Sequence, residues 1–175
     1  MGESLKGQVA IVTGASGGLG EHFARVLARE GAAVALTARR LDKVEQIASE
    51  LNAAGQKAMA MRLDVADAHA IAPAFDAIQA ALGPVSILIN NAGVGGEGAA
   101  LELSIEDFDN TFDVNVRGVF VAAQTFSGTW KSVSGLPLAF FWVAVPGYWV
   151  WGLGLGAAAL AYYRLTRPAC RVCGG

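Results

Sequence analysis

The sequence predicts an α/β fold, a doubly wound parallel sheet with helices on both faces. Two observations carry that prediction. Short apolar runs alternate with segments of helical periodicity over residues 1–126, and the first run opens into a glycine-rich turn. A third observation limits it, because the composition changes abruptly near Phe126.

Residues 8–13 (QVAIVT) are apolar and end in glycines, the pattern of a strand buried on both faces. Phe23, Val26 and Leu27 recur at helical spacing until Gly31, a helix stop. Residues 32–38 are a second strand. Leu41, Val44, Ile47, Ala48 and Leu51 form one face of a second helix that ends before Gly55. Residues 57–63 are a third strand, built on Ala and Met rather than β-branched residues. Residues 67–82 are a third helix with Asp67 as N-cap, which Pro73 is expected to shorten or kink. Residues 85–89 are a fourth strand. Ser104, Ile105, Glu106 and Asp107 have a capping-box pattern and open a helix. Its Phe108, Phe112, Val116, Val119 and Phe120 are expected to face the core. Ligands on a sheet of this βαβαβαβα order bind beyond the carboxyl ends of the strands, where the strand order reverses.

Composition excludes several function classes. The 175 residues carry 13 Lys+Arg against 15 Asp+Glu, so there is no basic footprint for nucleic acid. Two Cys cannot build a disulfide framework, and a 54% hydrophobic content with 16% charged residues excludes a disordered chain. Residues 1–15 carry Glu3 and Lys6 and no long apolar run, so no signal peptide is expected and the expected location is cytoplasmic. All fifteen acids lie between Glu3 and Asp113. Residues 1–126 have a net charge of −6, whereas residues 127–175 have +4 and hold all four Trp, all three Tyr and both Cys. The expected organisation is a folded domain over 1–126 and a divergent apolar tail over 127–175.

The turn Gly14-Ala15-Ser16-Gly17-Gly18-Leu19-Gly20 follows the first strand. Gly14 permits the tight turn, Gly18 lets a diphosphate approach the backbone, and Gly20 lets the next helix pack closely on the sheet. That helix offers free N–H groups and a positive dipole end to phosphates. No Lys-Ser or Lys-Thr follows Gly20, which excludes a Walker-type loop.

Four ordered motifs resemble the short-chain dehydrogenase/reductase family. Thr13 to Gly20 resembles its Thr-Gly-x-x-x-Gly-x-Gly loop, and Asn90-Asn91-Ala92-Gly93 its Asn-Asn-Ala-Gly motif after the fourth strand. Leu63-Asp64-Val65 sits where the family places an Asp against adenine, and Asn115 where it places its active-site helix Asn. The resemblance covers residues 6–126 and implies a Rossmann-like, dinucleotide-binding domain. It implies cofactor contacts at Gly14, Ser16, Gly18, Leu19, Gly20, Arg39, Asp64, Val65, Asn91, Ala92 and Gly93. Asn91 would support the cofactor-facing loop, and Asn115 would hold a water of the proton relay. An acid at the end of the second strand would favour NAD. That position is Ala38, followed by Arg39 and Arg40, and a guanidinium can pair with a 2′-phosphate. NADP is therefore the expected cofactor, with NAD the second choice.

The family implies an NAD(P)-dependent oxidoreductase acting on a small alcohol or ketone. Hydride transfer to a carbonyl also needs a proton donor, which in this family is a Tyr whose pKa a Lys four residues later lowers. Here Tyr148 is followed at that interval by Gly152, Tyr162 by Thr166 and Tyr163 by Arg167. The Tyr-x-x-x-Lys pair is absent, and Rossmann-like strands that continue the family's sheet are not recognisable. The domain is expected to be incomplete, with the fourth strand at or near a sheet edge.

Residues 136–163 are 28 residues without a charge, long enough for a membrane span. Pro137, Pro146 and Gly147 interrupt a helix there, and Gly152, Gly154 and Gly156 weaken it. Arg164, Arg167 and Arg171 follow the run, so either orientation is strained. A frameshift, a splice junction or a fusion boundary near residue 126 each accounts for the break. Residues 139–145 are a further strand candidate, and Cys170 and Cys173 are half of a zinc knuckle without a second pair. Three functions stay open: a catalytically incomplete family member, a non-catalytic cofactor-binding or interaction protein held at a membrane by 136–163, and a reductase using Ser134 and Tyr148.

Overall fold

Four parallel strands pair in the order β3-β2-β1-β4. They are β1 (Val9–Thr13), β2 (Ala33–Ala38), β3 (Ala58–Arg62) and β4 (Ile87–Ile89). The computed structural model describes residues 4–95 and 103–134, with 127–134 as backbone helix only. The expectations placed on residues 135–175 lie outside the described residues. They concern the span at 136–163, the strand at 139–145, Tyr148, Tyr162, Tyr163 and the Cys170/Cys173 pair, and the Ser134 side chain lies outside with them.

Each strand is followed by a helix: α1 (Gly18–Arg29), α2 (Leu41–Ala53), α3 (Ala68–Leu82) and α4 (Ile105–Phe112). A π-turn at Asp113–Gly118 joins α4 to α5 (Val119–Ser134). The α/β Rossmann-like expectation matches this arrangement. All five residues of β1 are buried, because the strand is central and covered on both faces. Alternation divides its side chains between two cores. Val9 and Ile11 pack with Ile71, Phe75 and Ile78 of α3, and Ala10 and Val12 pack with Ala24 of α1 and Val44 and Leu51 of α2. Among the described residues no helix is long and apolar enough to cross a membrane.

The helix ends follow local chemistry. Gly31 adopts φ 96°, its N–H donates to Ala28 and the Ala32 N–H to Leu27, which closes α1. The Asp67 carboxylate accepts from the His69 N–H at 3.0 Å, and the Ser104 hydroxyl accepts from the Asp107 N–H at 3.0 Å. Pro73 neither shortens nor splits α3, which runs unbroken through it. The proline is exposed and removes one hydrogen bond from a face that water can satisfy.

The core face of the last helical segment corrects the sequence expectation. Phe108, Phe112, Val116 and Phe120 are exposed, at 45%, 48%, 53% and 64%, and Val119 is only half-buried. The buried line is Val114, Gly118, Ala122 and Phe126, spaced by four. Apolar residues occur on both sides of this helix, so hydrophobicity alone did not select a side. Gly118 admits Val65 from the bend after β3, much as Gly20, Ala24 and Ala28 are the buried residues of α1.

Candidate functional site

The strand order reverses between β1 and β4, and the loops leaving their carboxyl ends diverge there. After β1 the chain turns at Gly14 and enters α1 at Gly18. No side chain caps the α1 N-terminus, which leaves its first N–H groups facing the turn. Gly18 has φ +57°, and nothing lies within 4 Å of where a Cβ would stand. That combination leaves an open, donor-lined space of the kind a diphosphate fits.

The turn is held from below by Thr13, 1% exposed at the end of β1. Its hydroxyl accepts from the Asn91 and Ala92 N–H groups, each at 3.1 Å, and donates to the Ile89 carbonyl at 3.4 Å. The Asn91 amide donates to the Thr13 and Gly14 carbonyls, both at 3.1 Å. Strand β1 and the segment after β4 are thereby tied together where they frame the site. Gly20 packs under this knot, and a Cβ there would overlap the Gly14 carbonyl oxygen and lie 2.5 Å from the Asn91 amide nitrogen.

Above the knot lies an open cleft of about 340 Å³. Gly14 and Ser16 form its floor beside α1. Ala38 and Arg39 approach from the end of β2, Asp64 and Val65 from beyond β3, and Asn91 to Gly93 from β4. Arg40 donates to the Ser16 hydroxyl at 2.9 Å and to the Ser16 carbonyl at 3.3 Å. Arg39, also exposed, has no hydrogen-bond partner among the described residues. The Asp64 carboxylate accepts from the Ala66 N–H at 3.1 Å, which fixes the bend after β3.

Of the twelve residues singled out from sequence, Gly14, Ser16, Arg39, Asp64, Val65, Asn91, Ala92 and Gly93 line one cleft. Gly18, Leu19 and Gly20 do not line it: Gly18 borders open space, Leu19 is 47% exposed, and Gly20 is buried beneath. Asn115 stands one layer behind. Its Oδ1 accepts from the Val94 N–H at 2.9 Å and its Nδ2 donates to the Val94 carbonyl at 2.7 Å. Sequence reasoning missed Thr13 as the knot, Val94 as the partner of Asn115, and Val114 as part of the cleft wall. Thr13 had a signal, being the one hydroxyl in an otherwise apolar run. Among the described residues no cluster of His, Cys, Asp and Glu could hold a metal ion.

The donor set fits a nicotinamide dinucleotide: an uncapped helix N-terminus for phosphates, an Arg39 guanidinium without a partner among the described residues, and a carboxylate-bearing bend beside apolar Leu63 and Val65. The family model described as short chain dehydrogenase matches residues 8–135, which carries the resemblance past residue 126. A 2,3-dihydro-2,3-dihydroxybenzoate dehydrogenase of Bacillus subtilis is 40% identical over 125 residues, 71% of this chain and 48% of that protein. A solved Serratia marcescens short-chain dehydrogenase/reductase is 43% identical with a TM-score of 0.69, covering 72% of this chain and 52% of that one. A Burkholderia cenocepacia short chain dehydrogenase, solved in complex with NADP, is 38% identical with a TM-score of 0.69, covering 71% and 51%. The chain spans half or less of the length of the curated relatives it matches. With a family model over residues 8–135 and a cleft built at the sheet's reversal point, the chain belongs to the short-chain dehydrogenase family.

Proposed function

We propose that this chain binds a nicotinamide dinucleotide, NADP before NAD, as the cofactor-holding part of an oxidoreductase acting on a hydroxyl/carbonyl pair. The observation that carries the reading is at the end of β2. Ala38 and Arg39 line the cleft there with no carboxylate to accept from a ribose 2′-hydroxyl, and the Arg39 guanidinium has no partner among the described residues. A 2′-phosphate would give it charge-assisted bonds. Arg40 is committed to Ser16, so the two arginines have different tasks: Arg39 reads the phosphate and Arg40 holds the floor of the cleft.

When bound, the nicotinamide supplies or accepts a hydride. The chain's own residues bind and orient. The α1 N-terminus neutralises the diphosphate, Asp64 and Val65 bound the adenine, and Asn91, Ala92 and Gly93 form the wall at β4. No Tyr in the 175 residues has a Lys four positions later, so these residues lack the family's proton donor. By itself the chain is expected to hold cofactor without turning it over.

Calorimetric titration of the full chain with NADPH and NADH tests this. The expected result is tighter binding of NADPH, by about tenfold, with the preference lost in Arg39→Ala. Binding of neither cofactor, or an unchanged preference in Arg39→Ala, would overturn the reading.

A further inference from the structure

The π-turn between α4 and α5 touches both sides of the cleft. Asn115 holds the Val94 peptide through both of its amide atoms, at 2.9 and 2.7 Å. Three residues on, Gly118 lies against Val65 with no room to spare. A Cβ on Gly118 would come within 2.6 Å of the Val65 carbonyl oxygen and 3.0 Å of both Val65 Cβ and Cγ2. Next to Asn115, buried Val114 forms part of the cleft wall itself. A wide turn inside an α-helix is rarely retained without a local reason. Here it brings an anchoring amide and a bare Cα to two loops that leave different strands.

We infer that the π-turn Asp113–Gly118 sets the spacing between the two walls of the cleft, and that Gly118 is the positioning residue that seats the adenine-side wall at Asp64–Val65. This rests on the dinucleotide reading of the cleft. Val65 has its own backbone against Gly118, so an added methyl cannot be absorbed by a rotamer change. The carbonyl must move, and the Val65–Ala66 peptide moves with it, whose N–H donates to the Asp64 carboxylate at 3.1 Å. Asn115 acts on the opposite wall, where Gly93 precedes the held Val94. The two residues therefore control different ends of the same ligand.

The test separates these ends by using 2′,5′-ADP, which carries only the adenosine half, beside NADPH. In the full chain, Gly118→Ala is expected to weaken 2′,5′-ADP by about tenfold or more. Phe126→Ala, on the same buried helix line eight residues beyond Gly118, is the control for general loosening. It is expected to lower the melting temperature at least as much and leave 2′,5′-ADP within about twofold. Asn115→Ala is expected to weaken NADPH by about tenfold and leave 2′,5′-ADP within about twofold, which keeps the inference testable should Gly118→Ala fail to fold. An unchanged 2′,5′-ADP affinity in Gly118→Ala overturns the inference while the cofactor reading stands. So does an equal loss in Phe126→Ala, or an equal loss of both ligands in Asn115→Ala. A wild-type chain that binds neither ligand overturns the cofactor reading, and this inference with it.

Discussion

Replacing Thr13 by Val changes the shape of the side chain very little and removes its hydroxyl. That hydroxyl is 99% shielded with its residue, accepts from two backbone N–H groups at 3.1 Å and donates to one carbonyl at 3.4 Å. Val cannot accept, so the part-buried Asn91 and Ala92 N–H groups lose their partner. Each unsatisfied donor costs about 1–3 kcal/mol, and the extra apolar methyl returns less than about 1 kcal/mol. The net expectation is a loss of about 3 kcal/mol, roughly a hundredfold in the folded-to-unfolded ratio. Thr13→Ser keeps the hydroxyl and loses one methyl, for about 1 kcal/mol. Urea unfolding of the three proteins, followed by far-UV circular dichroism, reads these differences as midpoint shifts at a common slope. Thr13→Val within about 0.5 kcal/mol of the parent, or less harmful than Thr13→Ser, would refute the idea that one buried hydroxyl ties the two loops.

Three other outcomes are open to measurement. Gly20→Ala is expected to abolish the native fold or the cofactor cleft, because its Cβ would meet the Gly14 carbonyl, and a soluble variant with parental affinity would contradict the close packing. Phe126→Ala should cost about 3–4 kcal/mol in urea unfolding, whereas Phe120→Ala should stay within about 0.5 kcal/mol, and the reverse order would restore the face expected from sequence. The Glu50 carboxyl is held below the usual carboxylate range, first by the hydrogen bond from Arg25 at 2.6 Å and then by that from Gln46. A depressed folded-state value gives a contribution that is present above the unfolded Glu value of about 4.3 and fades as pH falls through the lower folded value. NMR titration should show the Glu50 midpoint rising in Arg25→Ala, and an unmoved midpoint would remove Arg25 as the cause.

The strands were legible because a central parallel strand must be apolar on both faces, and residues 8–13 and 32–38 leave no other reading. The Gly31 stop and the Asp67 and Ser104 caps were legible for a similar reason, since each is a local arrangement that depends on neighbours in sequence. Most of the cleft was readable too, because its residues come from the motif positions that the family resemblance supplied. The helix after Ser104 was not. A regular 3.6-residue period does not hold across Asp113–Gly118, where the turn is wider, and the bulky Phe108, Phe112 and Phe120 are exposed. The side that packs holds Gly118, Ala122 and Phe126 rather than Phe112 and Phe120, and Gly118 faces a Val65 backbone that leaves no room for a Cβ. Contacts such as Asn115 with Val94 and Gly118 with Val65 join residues far apart in the chain, and no local pattern announces them.

The sheet keeps its two apolar layers from touching. Ile78 on one side and Leu51 on the other share no neighbours except through the backbone of the strands between them. Variation on one side should therefore be blind to variation on the other. Truncating both Ile78 and Leu51 should cost the sum of the single truncations to within about 0.5 kcal/mol. The helices that bear on the wall residues of the cleft could then change by drift while those under the phosphate turn stay fixed, and a laboratory library could recombine the two faces freely.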